Sequence, residues 1–516
     1  MSTRVRTGWI AAAMAMVAAS IVLGQTAGGP VKGLTNAQAV ARAYDQVYDA
    51  DFAAAEVELA RACGPAPAEA CDVVRAASLW WQLYLDIDDR SRDQAFLATI
   101  ANSISTCDRW SAREPQRAEA WFYLGAAYGA RVQYHAQRFE FLAAARDGKR
   151  IKNALEKALS IDSQLQDANF GIGMYAYYAD TAPAVFKFLR WLFLLPGGDK
   201  VKGLKQMLQT RNLGVVMKSD AAYQLHFIYL WYEKSPETAL SLLEELRIRY
   251  PHNPMFVLNI AQVHEIYRSD RPAALAAYLS LVESARTGKL REAELGETWG
   301  RLGSADQLDA LAESDRAIDE LRPIIDRPPA KPFGAVARAH LALGRAYDRL
   351  GQRGKAVTEF QLAQATAPAG DPREVRKAAR EGLARTPDSR TTEAYRLSLE
   401  GWRAFERGAI AEARERLDRA VALRPDEGVH RVRRGRVLEA KGDRASAIAD
   451  FERALQIRPS PPAPFVAAAF VACGRLYEAA GDLARARSNY EWATRVVGAN
   501  PSDTDAATQA LARLRR

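Results

Sequence analysis

Small and apolar residues recur at a fixed spacing in the last third of the chain, where residues 397–459 contain one pattern twice. Apolar positions fall three or four residues apart on either side of a glycine, which is typical of two helices joined by a turn. The two copies, offset by 34 residues, are Gly401, Ala404, Gly408, Ala413, Leu417, Ala420 and Pro425, then Gly435, Leu438, Gly442, Ala447, Phe451, Ala454 and Pro459. The same frame also fits residues 343–368 and 474–493, so the sequence predicts an array of helical hairpins.

Each position of the pattern has a physical role in such a hairpin. Gly344 and Gly435 fall in a first helix where the second helix passes close by, so a larger side chain would push the helices apart. Gly351 and Gly442 fall where the first helix ends, a place that favours a residue tolerating positive φ. One hairpin cannot bury its apolar face alone, and neighbouring hairpins must therefore stack.

The four matching units resemble the tetratricopeptide repeat (TPR). The resemblance implies an all-α fold, a TPR-type α-solenoid of stacked helical hairpins. It also implies a concave face, lined by the first helices of the hairpins, that serves as the binding surface.

Upstream, the same frame continues in a divergent form. Residues 121–128 match the first half of a unit, but the second half, residues 151–158, arrives late, which predicts lengthened helices rather than an expanded loop. A Pro-rich linker, residues 327–333, separates this divergent array, residues 25–326, from the regular array of residues 334–516.

An apolar segment interrupts the divergent array at residues 183–196. Its bulky apolar residues, interrupted only by Lys187 and Arg190, include Phe186, Phe188, Trp191 and Phe193. Two interpretations stay open: a helix buried against the repeats, which we favour, and a helix that contacts a membrane interface or forms a ligand pocket. The segment is too short to span a bilayer.

The flanks of this segment carry a second resemblance. Gly171-Ile-Gly-Met-Tyr175 before it, and Leu195-Pro-Gly-Gly-Asp199 with Gly203 after it, look like the mitochondrial outer-membrane TPR family that includes the inclusion-body clearance protein. This similarity implies shared architecture and transfers no function.

The first residues predict export. Arg4 and Arg6 precede an apolar run, residues 9–23, that is followed by small and polar residues. The run is shorter than a membrane-spanning helix, so a cleaved signal peptide, residues 1–24, is favoured over an uncleaved N-terminal anchor. Gln25 stands where a lipoprotein would carry cysteine. The protein is therefore expected in the periplasm or elsewhere in the cell envelope.

Export changes how the four cysteines are interpreted. Cys63 and Cys71 flank a Pro-rich turn between two helical segments, so we expect a local disulfide in an oxidising compartment. Cys107 and Cys473 lie far apart in the sequence and are expected to be buried apolar residues.

The sequence contains no recognisable catalytic, metal-binding or cofactor-binding motif. Six histidines are scattered singly, and His264-Glu265 lacks the second histidine of a helical zinc site. Neither a nucleophile elbow nor a phosphate-binding glycine loop is present. The net charge of +9 over 516 residues is mild and is interleaved with acids, so nucleic acid is not an expected partner. We therefore predict a non-catalytic protein without a cofactor.

Arginine and aromatic residues take equivalent places along the regular array. Four directly follow the first-helix glycine, where the TPR resemblance implies a position on the concave face, and three lie nearby. The first four are Arg345, Trp402, Arg436 and Arg475, and the others are Arg349, Phe405 and Arg433. Arginine forks suit carboxylates, including a peptide C-terminus, and the aromatic pair suits an apolar side chain. Alternatively, these arginines pair with Glu439, Glu478 and neighbouring acids of adjacent repeats.

Taken together, these features favour a scaffold that binds a protein or peptide in the bacterial cell envelope, the partner carrying an acidic or C-terminal carboxylate group. The alternative is an envelope component that binds a small ligand or lipid through the apolar segment around Trp191. We do not favour contact of this segment with a membrane.

Overall fold

The computed structural model describes residues 29–181 and 197–515. Within these ranges the chain is helical and has no β-strand, and an isolated bridge pairs Val31 with Arg117. The first helices are α1 (Ala37–Tyr48), α2 (Phe52–Ala62), α3 (Ala68–Leu85), α4 (Asp93–Arg113), α5 (Ala118–Gln137), α6 (Phe141–Ile161), α7 (Ala168–Thr181) and α8 (Lys200–Leu213). They are followed by α9 (Lys218–Trp231), α10 (Pro236–Arg249), α11 (Pro254–Gln262), which continues as a π-helical turn (Val263–Tyr267), α12 (Arg271–Arg286), α13 (Ala293–Ala310), α14 (Ser314–Asp326), α15 (Ala335–Arg349) and α16 (Arg353–Thr366). The last are α17 (Val375–Ala384), α18 (Ser389–Glu406), α19 (Ile410–Leu423), α20 (Gly428–Ala440), α21 (Arg444–Gln456), α22 (Ala463–Ala479), α23 (Leu483–Ala493) and α24 (Pro501–Arg513). The all-α prediction is confirmed.

Contacts within the chain define two compact units. The first unit takes its described residues from 1–41, 58–77 and 96–218, and the second from 42–57, 78–95 and 219–516. The sequence-based domain boundaries, including the linker at residues 327–333, stay predictions.

The first unit contains four long antiparallel helices, α5 to α8. Helices α5 and α6 have 20 and 21 residues, so the late second half of this repeat reflects lengthened helices, as expected. A Cβ atom at Gly173 would lie 2.7 Å from the carbonyl oxygen of Gly203. Helices α7 and α8 therefore touch backbone to backbone, which only glycine allows at this point.

The regular part of the second unit is a stack of hairpins. Its hairpins pair α13 with α14, α15 with α16, α18 with α19, α20 with α21 and α22 with α23, and α17 packs as an additional helix on α15 and α16. The first helices α13, α15, α18, α20 and α22 contact one another in succession, and α24 follows α22. They form one layer, for which we use the name inner layer.

Glycines and aspartates determine how each hairpin closes. Cβ atoms at Gly344 and Gly435 would lie 2.6 and 2.7 Å from the rings of Phe360 and Phe451, so the second helix packs directly on the glycine. The turn glycines 351, 408, 442 and 481 all have positive φ, between 71° and 82°. Asp443 then caps α21 by accepting a hydrogen bond from the backbone N–H of Ser446 at 3.2 Å. The packing and turn roles predicted for these positions are confirmed.

The second unit also curls back on itself. Gly498, in the turn between α23 and α24, lies against the turn that precedes α12, because a Cβ atom there would come 2.7 Å from the carbonyl oxygen of Ser269. The end of the array thus contacts the turn between the π-helical segment and α12.

Two sequence predictions fall outside the described residues. These are the signal peptide, residues 1–24, and the apolar segment of residues 183–196 with Phe186, Phe188, Trp191 and Phe193. Among the helices in the described ranges, none combines the length and apolar character that crossing a bilayer requires.

Candidate functional site

The seven residues predicted to line the concave face lie on the inner-layer helices α15, α18, α20 and α22. Six are at least partly exposed: Arg345, Arg349, Trp402, Phe405, Arg436 and Arg475. The seventh, Arg433, is buried. The exposed arginines among them differ in whether they already form an ion pair with a carboxylate.

Two of these arginines pair with acids of the preceding repeat. Arg475 on α22 donates from Nε and Nη2 to Glu439 on α20, at 2.8 and 2.6 Å. Arg349 on α15 lies 3.4 Å from the carboxylate of Asp309 on α13, and its guanidinium lies 5.5 Å from the ring centre of Tyr395. The inter-repeat pairing that the sequence left open is therefore present at these two positions.

Arg436 is engaged more weakly. Its nearest ion-pair partner in the described ranges is Glu439, at 3.9 Å, and that carboxylate already receives Arg475. Burial raises the pKa of Asp503 on α24, and the positive charges of Arg436 and Arg475 oppose the shift. The C-terminal helix thus places a carboxylate near both guanidinium groups.

The prediction that Arg433 lines the concave surface is wrong. Only 2% of Arg433 is exposed, and its guanidinium donates to the carbonyl oxygen of Ala312 at 2.8 Å and to Oγ of Ser398 at 3.3 Å. Its position on α20 faces the turn between α13 and α14, which covers it. In the described ranges it forms no ion pair and its Nε has no hydrogen-bond partner. Burial lowers its pKa.

Two arginines, Arg338 and Arg345, form a cationic pair on α15. Arg338 is half-buried and Arg345 is exposed, and neither forms an ion pair within the residues that the structure describes. They are seven residues apart, two helical turns, and so lie on one face of α15. The sequence analysis missed Arg338, although its spacing from Arg345 was a usable signal.

Asp306 on α13 is the acid that both arginines influence. Asp306 is an exposed residue, and desolvation of its carboxylate raises its pKa to about 6. The charges of Arg338 and Arg345 act in the opposite direction and do not overcome it. Asp306 is therefore a weak counter-ion, partly protonated near pH 6.

An aromatic pair lies on α18 in the next hairpin. The ring centres of Trp402 and Phe405 are 5.2 Å apart, and both side chains are partly exposed. Phe405 also packs on buried residues of the α18–α19 hairpin, so Trp402 offers the freer face. The two rings can hold an apolar side chain of a ligand.

The cysteines have two different environments. A disulfide joins Cys63 to Cys71 across the connection between α2 and α3, the pair that the sequence indicates. Cys107 and Cys473 are free and buried, and burial raises the pKa of the Cys473 thiol to about 12. Both free thiols therefore remain protonated and unreactive at neutral pH.

Metal-ligating groups are not assembled in the described ranges, where no three His, Cys, Asp or Glu residues are placed to hold an ion. His226 and His430 are instead buried singly, and desolvation lowers the pKa of each to about 3. Both are neutral imidazoles at physiological pH.

Family models of the tetratricopeptide repeat match two stretches of the regular array, residues 337–369 and 428–497. These stretches coincide with the hairpin of α15 and α16 and with the hairpins of α20 to α23. The chain therefore contains TPR units, a repeat that serves as a protein–protein interaction scaffold.

Solved structures that resemble the chain are also TPR proteins. A tetratricopeptide repeat protein from Parabacteroides merdae is 16% identical, with 58% of this chain and 99% of that chain covered and a TM-score of 0.27. The TPR2AB domain of yeast Sti1, in a complex with pHSP90, is 15% identical, with 58% of this chain and 98% of that chain covered and a TM-score of 0.22. The TPR domain of P58(IPK) is 11% identical, with 86% and 98% covered and a TM-score of 0.24. These overlaps are too low to compare sites.

A comparison with curated proteins finds no match. The similarity of residues 171–203 to the mitochondrial outer-membrane family stays a prediction.

Proposed function

We propose that this protein is a non-catalytic TPR scaffold of the bacterial cell envelope that binds an acidic peptide segment of a partner protein on the inner layer of the second unit. The observation that supports the proposal most directly is the pair Arg338 and Arg345, whose cationic groups are not held by ion pairs in the described ranges. Trp402 and Phe405 on the neighbouring hairpin add an apolar contact.

The spacing of the two arginines suggests the ligand. Seven residues of helix extend about 10 Å, at about 1.5 Å per residue. In an extended peptide, at about 3.3 Å per residue, residues three apart span the same distance. A segment with two carboxylates three positions apart would meet both guanidinium groups, and bidentate arginine–carboxylate pairs are geometrically specific.

The charge of Asp306 provides a test of this proposal. An ionised Asp306 would repel an incoming carboxylate, so binding should strengthen where this group is neutral. We expect Asp306→Asn to tighten binding of an acidic peptide about threefold to tenfold at pH 7.5 and to leave little change at pH 5, where Asp306 is mostly protonated.

Fluorescence anisotropy of the purified full chain tests this directly. The probes are two labelled peptides that differ only in carrying two glutamates or two glutamines three residues apart. We expect the glutamate peptide to bind more tightly and Arg345→Glu to weaken it at least tenfold. Arg444→Glu, which makes the same charge change at an exposed site of the second helix α21, is the matched control. Equal binding of both peptides, or equal effects of both substitutions, would contradict the proposal.

The envelope location rests on two grounds, the signal-like character of residues 1–24 and the disulfide between Cys63 and Cys71, which suits an oxidising compartment. A fusion of the chain to alkaline phosphatase, an enzyme active only outside the cytoplasm, tests it. We expect activity from the full chain and its loss when residues 1–24 are removed. Activity that does not depend on those residues, or none at all, would contradict the location.

A further inference from the structure

The turn between α13 and α14 contacts hairpins that come much later in the second unit. Ala312 takes the place in this turn that glycine has in the other turns, with a φ of 62°. Its carbonyl oxygen accepts a hydrogen bond from Arg433 on α20 at 2.8 Å. Leu399 on α18 also belongs to the buried apolar cluster of α13, α14 and α15. In a straight stack each hairpin contacts only its neighbours, so contacts that pass over α15 and α16 require a bend in the array.

Helix α18 binds the same turn through an ion pair and a hydrogen bond. Arg403 donates to the carboxylate of Asp315 at 2.8 and 2.9 Å, and to that of Glu313 at 3.3 Å. The hydroxyl oxygen of Tyr395 accepts a hydrogen bond from the backbone N–H of Ser314 at 3.3 Å. We call residues 312–315, together with their partners on α18 and α20, the clasp.

The two arginines of the clasp differ in how their charge is balanced. Arg403 is partly buried and has a bidentate carboxylate partner, which stabilises its charge. Arg433 is buried and forms no ion pair in the described ranges, and its Nε has no hydrogen-bond partner there.

The acids closest to Arg433 are already engaged. Burial lowers the pKa of Arg433, and the charges of Glu313 and Asp315 oppose this shift. Both of these carboxylates are paired with Arg403, however, and Glu313 is also paired with Arg316. A buried charge without a directly bonded counter-ion costs stability, so closing the clasp is opposed by the desolvation of Arg433.

We propose that the clasp is a releasable contact that keeps the second unit bent, and that it opens by admitting water to Arg433. Opening restores the hydration of Arg433 but breaks the pair of Arg403 with Asp315, so the two arginines bias the equilibrium in opposite directions. Because the array is bent, its end reaches back to the contact between Gly498 and Ser269, and straightening should break that contact as well. The proposal is independent of peptide binding.

Hydrogen exchange of the full chain, followed by mass spectrometry, tests the proposal. The N–H of Ser314 reports on the clasp because its acceptor, Tyr395, lies on another hairpin. The N–H groups of residues 268–271 report on the return contact. We expect exchange at both places to be faster at about 0.5 M than at about 0.05 M NaCl, since salt weakens the Arg403 pair, while exchange in α22 stays the same.

Two substitutions should act in opposite directions at both places. Arg403→Gln removes the ion pair and should speed exchange about fivefold. Arg433→Met keeps an apolar side chain of similar length but removes the buried charge, and should slow exchange about threefold. Arg301→Gln is the matched control, because Arg301 also binds two carboxylates, those of Glu297 and Glu320, but both lie in its own hairpin. It should change exchange at neither place.

Five results would overturn the proposal. Three concern Ser314: exchange that does not depend on salt, equal effects of Arg403→Gln and Arg301→Gln, or exchange that is unchanged or faster in Arg433→Met. The fourth is an equal increase in α22, which would mean that the whole unit unfolds. The fifth is faster exchange at Ser314 without a change at residues 268–271, which would show that the clasp does not set the bend.

Discussion

At the scale of single residues, the close packing of helices in this chain depends on glycines, which have no side chain. Gly344, Gly435 and Gly474 lie where the ring of the second helix occupies the space that a Cβ atom would need, at 2.6 to 2.7 Å. A one-carbon addition there must move either an aromatic ring or a helix, because interiors are packed too densely to absorb it.

We therefore expect Gly435→Ala to lower the free energy of unfolding by about 1–3 kcal/mol. Gly354→Ala is the matched control, because a Cβ atom at Gly354, in α16, would meet nothing within 4 Å. There the higher helix propensity of alanine should leave stability unchanged or raise it by up to about 1 kcal/mol. Urea denaturation of both variants checks this, and equal effects would contradict the packing argument.

A second residue-scale prediction concerns pH. Burial lowers the pKa of His430 to about 3, from an ordinary 6.5, and the charge of Arg433 acts in the same direction. Because the folded pKa lies below the unfolded one, this stability is present above pH 6.5 and is lost as the pH falls toward 3. The loss attributable to His430 between pH 6.5 and 5 is about 2 kcal/mol.

His430→Gln removes that titration. The stability difference between the native chain and this variant should therefore shrink when urea denaturation is repeated at pH 5 instead of pH 7. A difference that stays constant with pH would show that His430 is not the group responsible.

At the scale of elements, connections between helices are stabilised in different ways along the chain. In the second unit, turn glycines and capping aspartates end one helix and begin the next. Between α2 and α3 the connection is the Pro-rich stretch of residues 64–67, and the Cys63–Cys71 disulfide joins its two ends. The covalent link limits the freedom of a short Pro-rich loop in the unfolded chain.

Loss of this disulfide should lower the stability of the α2–α3 region by about 2–3 kcal/mol. Thermal unfolding of Cys63→Ser with Cys71→Ser should match that of the native chain in reductant. Reductant should have no further effect on the double variant, because Cys107 and Cys473 are buried free thiols. A native chain insensitive to reductant would contradict the prediction.

At the scale of the whole molecule, the second unit contains a contact between distant repeats that no single repeat predicts. In the second unit the turn at Gly498 touches the turn at Ser269 and Asp270, more than two hundred residues earlier in the chain. A leucine at position 498 would meet both a backbone oxygen and an unfavourable φ of 78°.

Gly498→Leu should therefore loosen the return contact and increase hydrogen exchange at residues 268–271 and 496–500. Gly481→Leu is the matched control, since Gly481 has a similar φ of 81° but nothing within 4 Å. Only the first variant should affect the distant residues 268–271. Unchanged exchange there would mean that the contact does not hold the end of the array in place.

The sequence by itself determined the hairpins. The 34-residue spacing, the turn glycines and the packing glycines depend on residues close together in the chain, and local spacing decides helix, turn and neighbour packing. For the same reason it indicated the Cys63–Cys71 pair and placed Trp402, Phe405 and most of the arginines on the inner layer.

Only the tertiary structure decided which of those residues are available. Arg433 is covered by the turn at Ala312, 121 residues earlier, and Arg475 is held by Glu439 of the preceding repeat. Arg338, which the repeat pattern does not single out, joins Arg345 as a cation of the inner layer that no ion pair holds in the described ranges. Small rotations between successive hairpins accumulate along the stack, so contacts between distant repeats follow from the assembled unit and not from any local pattern.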